Sequence, residues 1–183
     1  SVLLLGHGHQ HFSDIQKLPN LHAMIALLRD GFHPQSEGGS IELAGDGTPI
    51  IDYVINDYLW DGVRRSWLSM AEIQFAAGAK AVRASHVDSP WFTSWEEAKA
   101  GINALEFRSN AFTAGSAHCM GGLTMGEDQT RCLVDSNGKY HHLDNLYVFD
   151  GSVFPTSIGA NPQLSIYGMA CKQANKLLET LKA

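Results

Sequence analysis

At Asn161-Pro162 the chain is committed to starting a helix. Asn accepts hydrogen bonds from the free backbone N–H groups of a first helical turn, and Pro is tolerated there because its missing N–H has no partner to lose. A long helix is expected from this point, with Leu164, Tyr167, Cys171, Ala174, Leu178 and Leu181 forming one apolar stripe. Just upstream, Leu146–Phe149 is a short apolar run between Asn145 and Asp150, the pattern of a buried strand in a parallel sheet. The connection between them, "DGSVFPTSIGA", is rich in small residues that let a ligand approach the backbone closely. A helix N-terminus offers free N–H groups and about half a positive charge, so it stabilises a neighbouring group that turns negative. Taken alone, an Asn-Pro pair does no more than begin a helix, so the rest of the chain has to decide.

Composition removes several function classes. Hydrophobic residues make up 44% of the 183-residue chain and charged residues 17%, so a packed core is expected rather than disorder. The net charge is −6 with no Lys/Arg cluster, which argues against nucleic acid or an anionic membrane as partner. No apolar run approaches a membrane span, and the opening "SVLLLG" is too short and lacks the basic flank of a signal peptide. The three cysteines, Cys119, Cys132 and Cys171, are odd in number and form no Cys-x-x-Cys. Buried free thiols are expected, and a reducing, cytoplasmic compartment is favoured.

Patterning divides the chain into two kinds of region. "GGSIELAGDGTPIIDY" reads as two strands around the turn Gly45-Asp46-Gly47. Leu59, Val63, Trp67, Met70 and Ala77 recur at helical spacing, and Gly78 is the stop. Ser94-x-x-Glu97 is a capping box that opens a second helix. From Asn110 to Gly126 the chain is Gly/Ser-rich around His118. Short antiparallel strands come first and a strand–helix unit last, which reads as pieces of two domains rather than one complete architecture.

Two segments, "SAHCMGGLTMGED" and "CLVDSNGKYHHLDNLYVFDGSVFPTSIGANPQLSIYGMA", together resemble the C-terminal signature of the glucose–methanol–choline oxidoreductases. A looser likeness runs over Gly38–Ala79. The resemblance implies an α+β chain. It would combine part of an antiparallel-sheet substrate domain (residues 1–115) with an active-site loop, last strand and last helix of a Rossmann-like FAD-binding domain (116–183). It implies an FAD-dependent oxidase or dehydrogenase acting on the CH–OH group of a small-molecule alcohol. His118 matches the histidine that faces the flavin and handles the substrate hydroxyl proton. Asn161 matches the second active-site position, in the His/Asn branch that includes choline and cholesterol oxidases. Asp150-Gly151 matches the turn near the FAD ribityl and pyrophosphate, and Asn161, Pro162 and Gln163 match the helix start beside the flavin pyrimidine ring. Gly122 departs from the Thr found in many members.

The chemistry is consistent with these positions. Alcohol oxidation removes a proton from oxygen and a hydride from carbon. A neutral imidazole, with an ordinary pKa near ~6.5, is suited to the proton, and an Asn amide can hold the oxygen without acting as a second base.

Other motifs are discounted. Gly6-His7-Gly8 imitates a dinucleotide fingerprint, with Asp30 about twenty residues on, but His11 stands at the third glycine position and Pro19 interrupts the helix. His7, His9 and His11 would share a face on a strand, yet no carboxylate or thiolate supports them, so a polar loop and no metal site are expected. His141-His142 reads as a solvent-facing loop. The Gly-x-Gly-x-x-Gly unit that would hold the FAD pyrophosphate is absent from these residues. The expectation is therefore a C-terminal part that needs an N-terminal FAD-binding half, retains FAD poorly and is inactive alone. The alternative is a non-catalytic binding or assembly module on the same scaffold.

Overall fold

The computed structural model describes residues 4–31, 33–36 and 38–182, so the first three residues of the opening apolar run lie outside the described residues. The fold is α+β, with a two-stranded antiparallel sheet and four α-helices among the described residues. It divides into two compact units, residues 1–28 with 55–115 and residues 29–54 with 116–183.

The first unit is built on two helices, α2 (Asp57–Ala76) and α3 (Trp95–Ala104). The Asn56 side chain caps α2 by accepting from the Leu59 N–H at 3.2 Å. Leu59, Val63, Trp67 and Ala71 recur every four residues and are the buried face. Gly78 ends the helix with φ +90°, and its N–H donates to the Phe75 carbonyl, as a left-handed terminating glycine should. Ser94 caps α3 by accepting from the Glu97 N–H at 3.2 Å. The Glu97 carboxylate reaches back to the Thr93 N–H and hydroxyl, both at 2.9 Å, one residue before the usual capping-box target.

Ala98 and Ile102 of α3 meet Val63, Trp67 and Ala71 of α2 over Val82, Ala84 and Phe92 in one buried cluster. Reciprocal backbone bonds join Val82 and Phe92 at 2.9 and 2.8 Å. Gly101 leaves room for the Phe92 ring, which would collide with any β-carbon there.

Helix α1 (Gly8–Gln16) contains His9 and His11, with His7 capping it, so the expected polar loop is instead helical. On a helix, residues two apart point to different sides, so His9 and His11 do not share a face. Asp14, on the same helix, is buried. Its carboxylate accepts from Arg83 at 2.5 Å, Trp91 at 3.0 Å and Lys17 at 3.1 Å.

In the second unit, β1 (Gly39–Leu43) pairs antiparallel with β2 (Pro49–Tyr53), Ile41 opposite Ile51. Gly47, at φ +84°, closes the turn by donating to the Ala44 carbonyl at 2.9 Å. Every residue of both strands is exposed. Alternation puts Ile41, Leu43, Ile51 and Tyr53 on one face, with Ser40, Glu42, Ile50 and Asp52 on the other.

Leu146–Phe149 is not a parallel strand. It folds back antiparallel onto residues 138–140, with Tyr140 N–H donating to the Leu146 carbonyl at 2.9 Å and Val148 N–H to the Gly138 carbonyl at 2.8 Å. Asp135 shapes the preceding turn by accepting from the N–H groups of Asn137 and Lys139. Nor is it buried: Leu146 is exposed and Tyr147, Val148 and Phe149 are half-buried, because the turn brings the segment back onto its own neighbours rather than into a sheet between other strands.

Helix α4 spans Gln163–Lys182. The apolar stripe expected to pack is exposed: Leu164 is 83% accessible, Tyr167 60% and Leu181 73%. The packed face carries Ile166, Met169, Ala170 and Leu177, each half-buried, around Gln173, which is buried and donates to the Met125 sulfur at 3.5 Å. The cysteines are free, but Cys119 and Cys171 are exposed and only Cys132 is half-buried, so the expectation of buried thiols fails. Each small thiol sits on a loop or helix face that its spacing did not reveal.

Candidate functional site

In the second unit, backbone bonds join the loop after His118 to the turn after Asp150. His118 lies in coil and is half-buried, with its N–H donating to the Ser116 hydroxyl at 3.2 Å. The chain then turns through Gly121 at φ +89° and runs beside the turn that follows Asp150. Leu123 N–H donates to the Ser152 carbonyl at 3.0 Å, and Met125 N–H to the Val153 carbonyl at 2.9 Å. The His118 loop is thereby stitched to the 3₁₀ turn Gly151–Val153.

Asp150 caps that turn. Its carboxylate accepts from the Ser152 N–H at 2.8 Å and from the Ser152 hydroxyl. Gly151 sits where three segments meet. A β-carbon on it would stand 3.2 Å from the Cys119 carbonyl and 3.1 Å from Ile166 Cδ1 on α4. The absent side chain is what lets the residue after His118, the Asp150 turn and the start of α4 converge.

The helix start departs slightly from expectation. The first backbone bond of α4 runs from the Ile166 N–H to the Pro162 carbonyl at 2.9 Å, so the helix is entered at Pro162, one residue after Asn161. Pro162 is buried, while Asn161 and Gln163 are exposed, and Gln163 donates to the Tyr167 hydroxyl at 2.6 Å. The N–H groups of the first turn lack carbonyl partners within the helix, as at any α-helix start, and so face outward as donors. That donor set is open to an acceptor-rich group.

One contributor was not visible in the sequence. Gly159, at φ +72°, has Arg29 over it: Nε, Cδ and Cζ lie 2.9, 3.0 and 3.2 Å from where a β-carbon would be. Gly31, at φ +132°, lies against the Thr156 hydroxyl and the Ser157 backbone in the same way. No spacing rule links residues 130 positions apart, so only the fold reveals that the 29–31 segment borders the loop before Asn161.

Elsewhere, His141 is half-buried with Nε2 2.9 Å from the Gly126 carbonyl, whereas His142 is exposed as expected. No cluster of three or more metal-ligating side chains occurs among the described residues. Among them, no helix is long and apolar enough to cross a membrane. The first unit holds an open groove of about 1150 Å³ walled by Trp67, Met70, Arg83, Trp91 and neighbours, and none of the expected site residues lines it.

The C-terminal family model of the GMC oxidoreductases matches residues 34–170, more than half of the chain. The 6'''-hydroxyparomomycin C oxidase of Streptomyces lividus is 37% identical over 84 residues, covering 46% of this chain and 15% of that protein. A GMC-type oxidoreductase of Sinorhizobium fredii is 29% identical over 150 residues, covering 79% of this chain and 28% of that protein. The cholesterol oxidase of Acinetobacter baumannii is 40% identical over 55 residues, covering 30% of this chain and 10% of that protein. The chain thus spans well under a third of the length of each of these relatives.

Proposed function

Because this chain belongs to the GMC oxidoreductases, a family of flavin-dependent oxidoreductases, we propose that it is the C-terminal part of an FAD-dependent enzyme that oxidises an alcohol. The observation that supports this most is the convergence at Gly151, where the His118 loop, the Asp150 turn and the start of α4 come together.

Bound FAD would supply the redox chemistry, accepting the hydride of the alcohol carbon at N5. The residues of this chain do the rest. His118 accepts the hydroxyl proton as general base. Asn161 donates an amide hydrogen bond to the same substrate oxygen, which orients it without competing for the proton. The Asp150-Gly151 turn would border the cofactor chain, and Asn161, Pro162 and Gln163 would stand by the pyrimidine edge, where the free N–H groups that follow Pro162 would favour negative charge. The strongly apolar exposed faces of β1–β2 and α4 belong with this reading, as parts of a substrate-domain sheet and an FAD domain completed by other polypeptide.

The test is direct. The complete polypeptide, incubated with FAD and freed of excess ligand, should show a flavin absorption band that bleaches anaerobically with an alcohol. The 183-residue segment alone should show neither. A complete polypeptide that never retains flavin points instead to a binding or assembly module, and alcohol oxidation by the isolated segment would sink the claim that it is inactive by itself.

A further inference from the structure

We propose that the groove of the first unit is a binding site for a monoanionic amphiphile, a molecule with an elongated apolar body and one acidic head, such as a long-chain carboxylate. His118, Asp150 and Asn161 do not line this groove, and the flavin chemistry proposed above makes no use of it.

The walls supply the apolar half. The groove holds about 1150 Å³. That is slightly more than the roughly 300–1,000 Å³ of an ordinary small-molecule site, and it leaves room for an extended ligand. Trp67, Met70 and Ile73 line it from α2, Trp91 from the loop before α3, and Leu5 and Leu21 from the segments on either side of α1. An apolar surface of this breadth left in water marks a place where something binds.

The charges supply the other half. The chain as a whole carries −6. Yet the lysines and arginine that line the groove, Lys17, Lys80 and Arg83, are joined there by no aspartate or glutamate. Asp14 is buried, does not line the groove, and answers only part of this charge by accepting from Arg83 at 2.5 Å and Lys17 at 3.1 Å. Lys80 is exposed and pairs with no carboxylate among the described residues. Three cations against one carboxylate leave a small positive surplus, which matches one acidic head rather than a polyanion.

A polar group awaits that head. Along residues 81–86 burial alternates: Val82, Ala84 and His86 are buried, while Ala81, Arg83 and Ser85 are half-buried on the other side. Ser85 lines the groove, and its hydroxyl oxygen is buried with no hydrogen-bond partner among the described residues. An unpaired buried hydroxyl is costly, and a head group that bonds to it removes the cost. The His86 ring is already engaged, with Nε2 3.0 Å from the Glu106 carbonyl and Nδ1 accepting from the Asp88 N–H at 3.1 Å.

The test uses dibromostearate, whose bromines quench tryptophan emission on contact and so report on Trp67 and Trp91. Titrated into the complete polypeptide, it should quench saturably, and plain stearate should reverse the effect by competition. The uncharged methyl ester of the same probe should bind about tenfold more weakly. Lys80→Glu should weaken the acid about threefold to tenfold and leave the ester unchanged. If that variant fails to fold, Lys80→Gln is titrated in its place. Ser85→Ala should weaken the acid about threefold without lowering the melting temperature, because its hydroxyl has no partner in the protein to lose. Absence of saturable quenching in the complete polypeptide overturns the site and shows that the protein's own chain fills the groove. Equal affinity for acid and ester, or acid binding that neither variant changes, overturns it as well. Each of these results leaves the proposed flavin chemistry intact.

Discussion

Gly151 and Cys119 are in contact across 32 positions of sequence: the Cys119 carbonyl lies 3.2 Å from where a Gly151 β-carbon would stand. Ile166 Cδ1 closes the same position from the other side at 3.1 Å. The residue after His118, the Asp150 turn and the first turn of α4 are therefore packed around an absent side chain. Gly151→Val should destabilise the second unit by about 1–3 kcal/mol, because a backbone carbonyl cannot rotate away as a side chain can. Hydrogen exchange checks it: the Leu123 and Met125 amides, bonded to Ser152 and Val153, should lose protection first.

His118 carries the proposed proton transfer. Its replacement by alanine in the complete, flavin-loaded protein should slow flavin reduction by substrate about 10²–10⁴-fold while leaving the flavin spectrum intact. Rapid-mixing reduction kinetics provide the measurement. An unchanged rate would remove His118 from the chemistry.

Gly138 is a structural glycine of a stricter kind. It is buried at φ +78°, and a β-carbon would stand 2.7 Å from both the Val148 carbonyl and a Phe149 ring carbon. Gly138→Ala combines left-handed strain with a backbone collision and should cost about 2–4 kcal/mol. Chemical denaturation would show a lower midpoint with little change in slope; a change below 0.5 kcal/mol would contradict the geometry.

The Asp14–Arg83 pair should make the first unit acid-sensitive. Burial pushes the Asp14 carboxyl up, but its bond from Trp91, with Lys17 and Arg83 beside it, holds the pKa below the ordinary 3.8. A carboxyl depressed in the folded state contributes stability above its unfolded pKa, and that contribution is lost as pH falls through the folded value. Stability should thus decline below about pH 4. Asp14→Asn should flatten that decline and cost about 3–5 kcal/mol at neutral pH, since Arg83, only 8% accessible, would keep a buried charge without its counterion. Thermal melts of both forms between acidic and neutral pH separate the two effects.

The sequence by itself determined the elements whose causes are local. Asn56 and Gly78 bound α2, Ser94 and Glu97 open α3, and Gly47 turns β1 into β2, each through bonds that span a few residues. The order of motifs from Ser116 to Ala170 likewise carried the family, because those residues are read in sequence. Tertiary structure decided the partners. Periodicity found the Leu164–Leu181 stripe of α4 but could not say that Gln173 would pack on Met125 and leave that stripe in solvent. Apolarity marked Leu146–Phe149 but not its antiparallel return onto residues 138–140. Alternation set His7, His9 and His11 on an imagined loop or strand, where the chain is helical. Arg29 carries no sign in its own neighbourhood that Gly159 lies beneath it, since a contact between residues 130 positions apart depends on how the intervening chain packs rather than on any local pattern.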